Sequence, residues 1–213
     1  AGAQAQARRL ARQGDDVTVG GVATSSPLGR LPDPLFNTML GWRETRFVGT
    51  IFHELAHERL YVPGDSAFNE AFASVVEEEG VRRWLIARGR ATELEAYEAS
   101  LVRQADFAAL LRDARERLAS LYASGRPPAE LRVEKQREFG RLKFRYSLLR
   151  AQWGSYAGYD AWFARTLSNA HLAAVATYHD CVPGLRRELA AAGSLPAFYE
   201  RAAALAKLPV LRK

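Results

Sequence analysis

The chain has 213 residues, of which 48% are apolar, enough to bury a core and too apolar for a disordered segment. Its net charge of +6 comes with an ordinary 25% of charged residues, so the basicity is mild and no nucleic-acid partner is called for. One cysteine, Cys181, excludes an internal disulfide framework and any cysteine-built metal cluster.

No window reaches the eighteen or so apolar residues of a membrane-spanning helix, and no signal-peptide core opens the chain, so as given it reads as soluble. It begins without Met inside an amphipathic segment. We therefore expect a native N-terminal portion to be missing, which leaves the compartment open and allows a cell-envelope location if a leader has been lost.

Residues 3–13 favour helix, and Gly14-Asp15-Asp16 supplies a turn before Val17-Thr18-Val19, a β-branched run that reads as a strand. Residues 20–34 are broken by glycine and proline and read as a strand end and loop, and Leu35, Met39 and Leu40 share a helical face. Phe47, Val48, Ile51, Phe52, Leu55 and Ala56 recur at helical intervals from Glu44 to about Leu60, where Pro63-Gly64-Asp65 stops the pattern. Asp65 or Ser66 caps a second helix running to about Arg88 and ended by Gly89, so the two form a hairpin. Residues 92–123 read as one long helix or a pair, 129–152 as another, and 160–179 and 196–207 as the last two. There is no internal repeat and no clear linker, so one domain spans 1–213.

The first helix of the hairpin carries His53-Glu54-Leu55-Ala56-His57. Four histidines and sixteen glutamates placed at random would produce this spacing in about half a percent of such chains. Residues four apart lie on one helical face, about 5–6 Å apart, so both imidazoles can reach one ion. Glu54, rotated by about 100°, can hydrogen-bond water beside it. A third ligand is then required. Counting outward from the turn places His57 opposite Glu70 and His53 level with Ser74. Glu77 falls near Thr50, about 10 Å beyond Glu70, where it suits a partner behind the ligands.

These residues carry a resemblance. The stretch from Ile51 to Leu85 resembles the metal-binding hairpin of gluzincin zinc peptidases, in which HExxH is completed by a Glu in NExxA or NExxS on the next helix. The ordered segments GGVATSSPLG, DPLFNTML, FHELAHERLYV, FNEAFAS, GYDAWF, SNAHL, TYHDCVPG and FYERAA resemble a bacterial family of predicted zinc-dependent aminopeptidases over most of the chain. The resemblance implies zinc on His53, His57 and Glu70, Glu54 as general base and proton shuttle, and a peptide substrate. It also suggests Tyr178 as donor to the oxyanion, against a plain role as a core aromatic. Ser74 stands where thermolysin-like relatives place an aspartate that orients a histidine. No carboxylate in GGVATSSPLG reads a substrate amine, so aminopeptidase specificity comes from the resemblance alone.

The fold expected is α+β and mostly helical, a gluzincin-like core with an N-terminal edge strand that pairs with an extended peptide and a helical C-terminal half. Two rivals are a metal-binding helical protein without turnover and a basic helical adaptor. Outside the hairpin, Asp160 reads as a helix cap, Asn69 as either a backbone anchor or a first-turn filler, and His171, His179 and Cys181 as structural by default.

Overall fold

The computed structural model describes residues 2–19, 41–173 and 181–207, and all regular structure among them is α-helical. The helices are α1 (Gly2–Arg12), α2 (Glu44–Arg59), α3 (Ser66–Ala87), α4 (Ala91–Tyr122), α5 (Pro128–Gln152), α6 (Asp160–Phe163), α7 (described over residues 169–173), α8 (Val182–Ala192) and α9 (Leu195–Leu205). No helix among the described residues is long and apolar enough to cross a membrane.

The α+β expectation is corrected: the described residues contain neither a strand nor a sheet, and the β structure of a gluzincin core is not shown. Val17, Thr18 and Val19 are irregular. β-Branched residues make a strand only when a neighbouring strand completes the ladder, and here side chains hold the segment instead. Asp16 accepts from Lys135 Nζ at 2.5 Å and from the Asn169 amide at 3.1 Å, and Thr18 Oγ1 lies 3.4 Å from His171 Nε2. The remainder of the expected edge strand and loop, and the helical face of Leu35, Met39 and Leu40, lie outside the described residues.

The described residues fall into two compact units, with α4 contributing residues 91–98 to one and 99–122 to the other. The first contains α2, α3, α8 and α9. Phe72 lies fully buried at its centre, stacked on Phe198 at 5.6 Å and on Phe68 at 6.3 Å, with Val75, Val76, Val182, Leu185 and Ala202 around it. Glu78 on α3 accepts both Nε and Nη2 of Arg186 on α8, at 2.7 and 2.6 Å. The paired, hydrogen-bonded geometry offsets the cost of burying that carboxylate.

The second unit is built on α4 and α5. Phe107, Leu110, Leu111, Ala114 and Leu118 face Phe139, Leu142 and Tyr146, and Phe163, Leu167 and Leu172 close the same core. The helix expected over 160–179 is interrupted after Phe163 and restarts at Asn169. Ser168 precedes the restart, and His171 Nδ1 accepts the Ser168 amide at 3.2 Å, which is the reciprocal half of a capping box. The cap expected at Asp160 is also corrected: Tyr159 is the N-cap and no side chain caps α6. The Asp160 carboxylate instead accepts from Tyr146 Oη and from Arg150 Nε, the latter at 3.0 and 3.2 Å.

A candidate metal centre on the α2–α3 hairpin

The site begins with the turn between α2 and α3. Gly64 has φ +85°, a conformation that only glycine adopts without strain, and Asp65 caps α3 by accepting the Phe68 amide at 2.9 Å. Asn69 is 2% exposed, and its side chain clamps Val62 from both sides. Its Oδ1 accepts the Val62 amide at 2.8 Å, and its Nδ2 donates to the Val62 carbonyl at 2.9 Å. Asn69 is therefore a backbone anchor, and it sits one residue before Glu70.

Along the hairpin the two helices approach closely because each offers a glycine to the other. A Cβ at Gly80 would lie 2.6 Å from the ring of Phe52, and one at Gly49 would lie 2.9 Å from Glu77 Oε1. This contact aligns α2 and α3 so that His53, His57 and Glu70 converge. Each of the three offers a ligand atom, and these atoms all lie within 4.8 Å of one another. His53 Nε2 is 3.4 Å from Glu70 Oε2 and His57 Nε2 is 3.8 Å from Glu70 Oε1. The two imidazole rings sit edge to face with centroids 4.9 Å apart.

His57 is 3% exposed in its side chain, whereas His53 at 19% and Glu70 at 26% leave the group open to solvent on one side. On its other nitrogen His53 meets Glu77, with Nδ1 to Oε2 at 3.0 Å. Burial pulls the His53 pKa down, but the hydrogen bonds to Glu70 and Glu77, with their charges, outweigh it and lift the pKa to about 9. The hydrogen bond from His53 holds the Glu70 carboxyl below the usual carboxylate range.

Two imidazoles and a carboxylate in this arrangement are a borderline-soft N,N,O donor set that could hold a divalent metal. The Glu54 side chain adds a second sign of fit, because its Oε2 is buried with no hydrogen-bond partner among the described residues. A buried carboxylate oxygen costs free energy unless something hydrogen-bonds to it.

The hairpin thus gathers His53, Glu54, His57 and Glu70 onto one pair of helices. Tyr178 and His179 lie outside the described residues. His171 is engaged by Ser168 and Thr18 in the α4–α5 unit, and Cys181 packs against the core around Phe72. Gly49 and Gly80 were not singled out by sequence reasoning. A glycine inside a helix costs about 1 kcal/mol relative to alanine, and that cost was the available signal.

Neither the comparison with curated proteins nor that with solved structures returned a match. A family model did. The model of the family described as "Putative aminopeptidase" matches residues 1–213, and the chain belongs to that family.

Proposed function

We propose that this chain is a zinc-dependent aminopeptidase whose ion is held by His53, His57 and Glu70. The convergence of their ligand atoms within 4.8 Å carries the reading, and family membership supports the reaction class. Zinc suits a site with two imidazoles and one carboxylate, a set that leaves a coordination position for water or substrate. When bound, the ion supplies Lewis-acid polarisation of the scissile carbonyl and brings the pKa of water toward neutrality.

Glu54 performs the proton transfers in this reading. Its carboxylate takes the proton of the attacking water and returns it to the departing amine, a task for a carboxylate that follows His53 in the chain but is not spent on holding the metal. His57 is the most enclosed ligand and anchors the site, while Glu70 and His53 border the open side by which a peptide enters. Tyr178 is assigned the hydrogen bond to the oxyanion on the strength of the resemblance.

The test is digestion of a peptide library by wild type and Glu54→Gln, with products read by mass spectrometry and metal content measured on both. Wild type should release N-terminal residues. Glu54→Gln should keep its metal and lose the 10²- to 10⁴-fold contribution typical of a general base, or more. Equal cleavage by the two proteins would remove Glu54 from the mechanism.

A further inference from the structure

We propose that the α4–α5 face is a homodimer interface, in which α5 of a second copy lies antiparallel across α5 of the first and the two helices cross at Phe144. The inference is independent of the metal site. α5 turns Phe139, Leu142 and Tyr146 into the core of its unit. On its other side Phe144 and Leu148, one turn apart, are 63% and 50% exposed. A Cβ at Gly140, one turn before Phe144, would meet nothing within 4 Å. A glycine inside a helix costs about 1 kcal/mol relative to alanine, and among the described residues no contact accounts for this one. An antiparallel crossing at Phe144 accounts for it, because the two-fold axis then seats Leu148 of each copy on the bare backbone of the other's Gly140.

Beside this ridge a groove of about 470 Å³ runs between α4 and α5. Ala109, Leu110, Leu148 and Leu149 give it an apolar lining. Polar bridges mark its two ends: Trp153 Nε1 donates to Asp106 at 3.0 Å, and Arg145 pairs with Asp113. A flat bilayer leaves such a groove empty, whereas a helix fills it. A face that carries both a ridge and a groove is complementary to itself, which is what an isologous two-fold contact requires.

Charge and size agree with a second copy as the occupant. α4 runs opposite to α5, since Asp106, Asp113 and Arg117 are bridged in turn to Trp153, Arg145 and Glu138. An α5 arriving antiparallel to the first α5 therefore runs parallel to α4. Its Arg137 and Arg141, seven and three residues before the crossing, fall beside α4 between the levels of Asp106 and Asp113. Both arginines are exposed, each bound to a glutamate three residues earlier in its own helix. Opposite charges placed in this way fix the register of an interface. α5 has 25 residues. At 1.5 Å per residue and two helix widths, the face covers about 700 Å² per copy, close to the roughly 800 Å² per partner of a standard interface.

Sedimentation velocity on the full chain, from about 1 to about 300 µM, should show a monomer–dimer equilibrium with Kd of about 10–100 µM. Phe144→Glu should weaken association about 100-fold or more, with melting at about 1 µM unchanged because the side chain lies outside the core. Gly140→Ala should raise melting at that concentration, where copies are separate, and yet weaken association about 10-fold. Arg141→Glu should also weaken it about 10-fold, and Asp106→Arg added to it should recover most of the loss, because the swapped charges still meet as opposites. In a Cys181→Ser background, Phe144→Cys should link the two copies through a disulfide under mild oxidation. A single-copy mass for wild type at every concentration would overturn the proposal. So would a dimer that Phe144→Glu leaves at wild-type Kd and Phe144→Cys does not link.

Discussion

Asn69 holds the register of the hairpin, and its replacement gives a loss that can be worked out from two bonds. Asn69→Ala removes the acceptor of the Val62 amide at 2.8 Å and the donor to the Val62 carbonyl at 2.9 Å. Two such bonds contribute about 1 kcal/mol each, and leaving the half-buried Val62 groups without partners adds about 1–2 kcal/mol, so the cost is about 3–4 kcal/mol. Asn69→Asp separates the two bonds. The carboxylate still accepts the Val62 amide, but its second oxygen faces the Val62 carbonyl where Nδ2 donated. A protonated carboxyl restores that donor, so its pKa is raised in the folded protein. A raised pKa stabilises below the unfolded value and loses that contribution as pH rises, so Asn69→Asp should lie closest to wild type near pH 4 and fall away toward pH 7. Urea unfolding of the metal-free proteins measures the cost without the added stabilisation of a bound ion. Hydrogen exchange at the Val62 amide reports the bond itself. Asn69→Ala within about 0.5 kcal/mol of wild type, with Val62 protection unchanged, would refute the clamp.

Further outcomes follow from the packing and from one histidine. Gly80→Ala puts a Cβ 2.6 Å from the Phe52 ring and should destabilise by about 1–3 kcal/mol, while Gly140→Ala, with nothing within 4 Å, should stabilise by about 0.5–1 kcal/mol, both read by thermal melting. His171 is held below its ordinary pKa of 6.5, first by burial and then by the charge of Arg165, and its Nδ1 must stay unprotonated to accept the Ser168 amide. A depressed pKa gives stability that is present above about 6.5 and is lost as pH falls through the folded value. Wild type should therefore lose more melting temperature than His171→Gln between pH 7.5 and pH 5.5, and equal losses would contradict the assignment.

The hairpin was legible in the sequence because its signals are local. Apolar spacing set α2 and α3, Asp65 marked the cap, and the four-residue step from His53 to His57 fixed a shared face. The mirror count across the turn then reached Glu70. What escaped the sequence depends on a partner. Val17 to Val19 have strand propensity, but the described part of the fold offers no strand beside them, so side-chain bonds to Lys135, Asn169 and His171 decide their path. α8 lies between the last two helices expected from the sequence and was not among them, although proline at the first turn of a helix is well placed to start one. Asp160 looked like a cap, yet Tyr146 and Arg150 claim its carboxylate from α5. Gly49 and Gly80 acquire meaning only when the opposing Glu77 and Phe52 are known.

Zinc stoichiometry and affinity on the metal-free protein read out the metal site itself. One ion should bind per chain, with affinity lowered by more than about 100-fold in each of His53→Ala, His57→Ala and Glu70→Ala, and within a few-fold of wild type in Glu54→Gln. Absence of stoichiometric zinc, or binding indifferent to the three ligand substitutions, would contradict it.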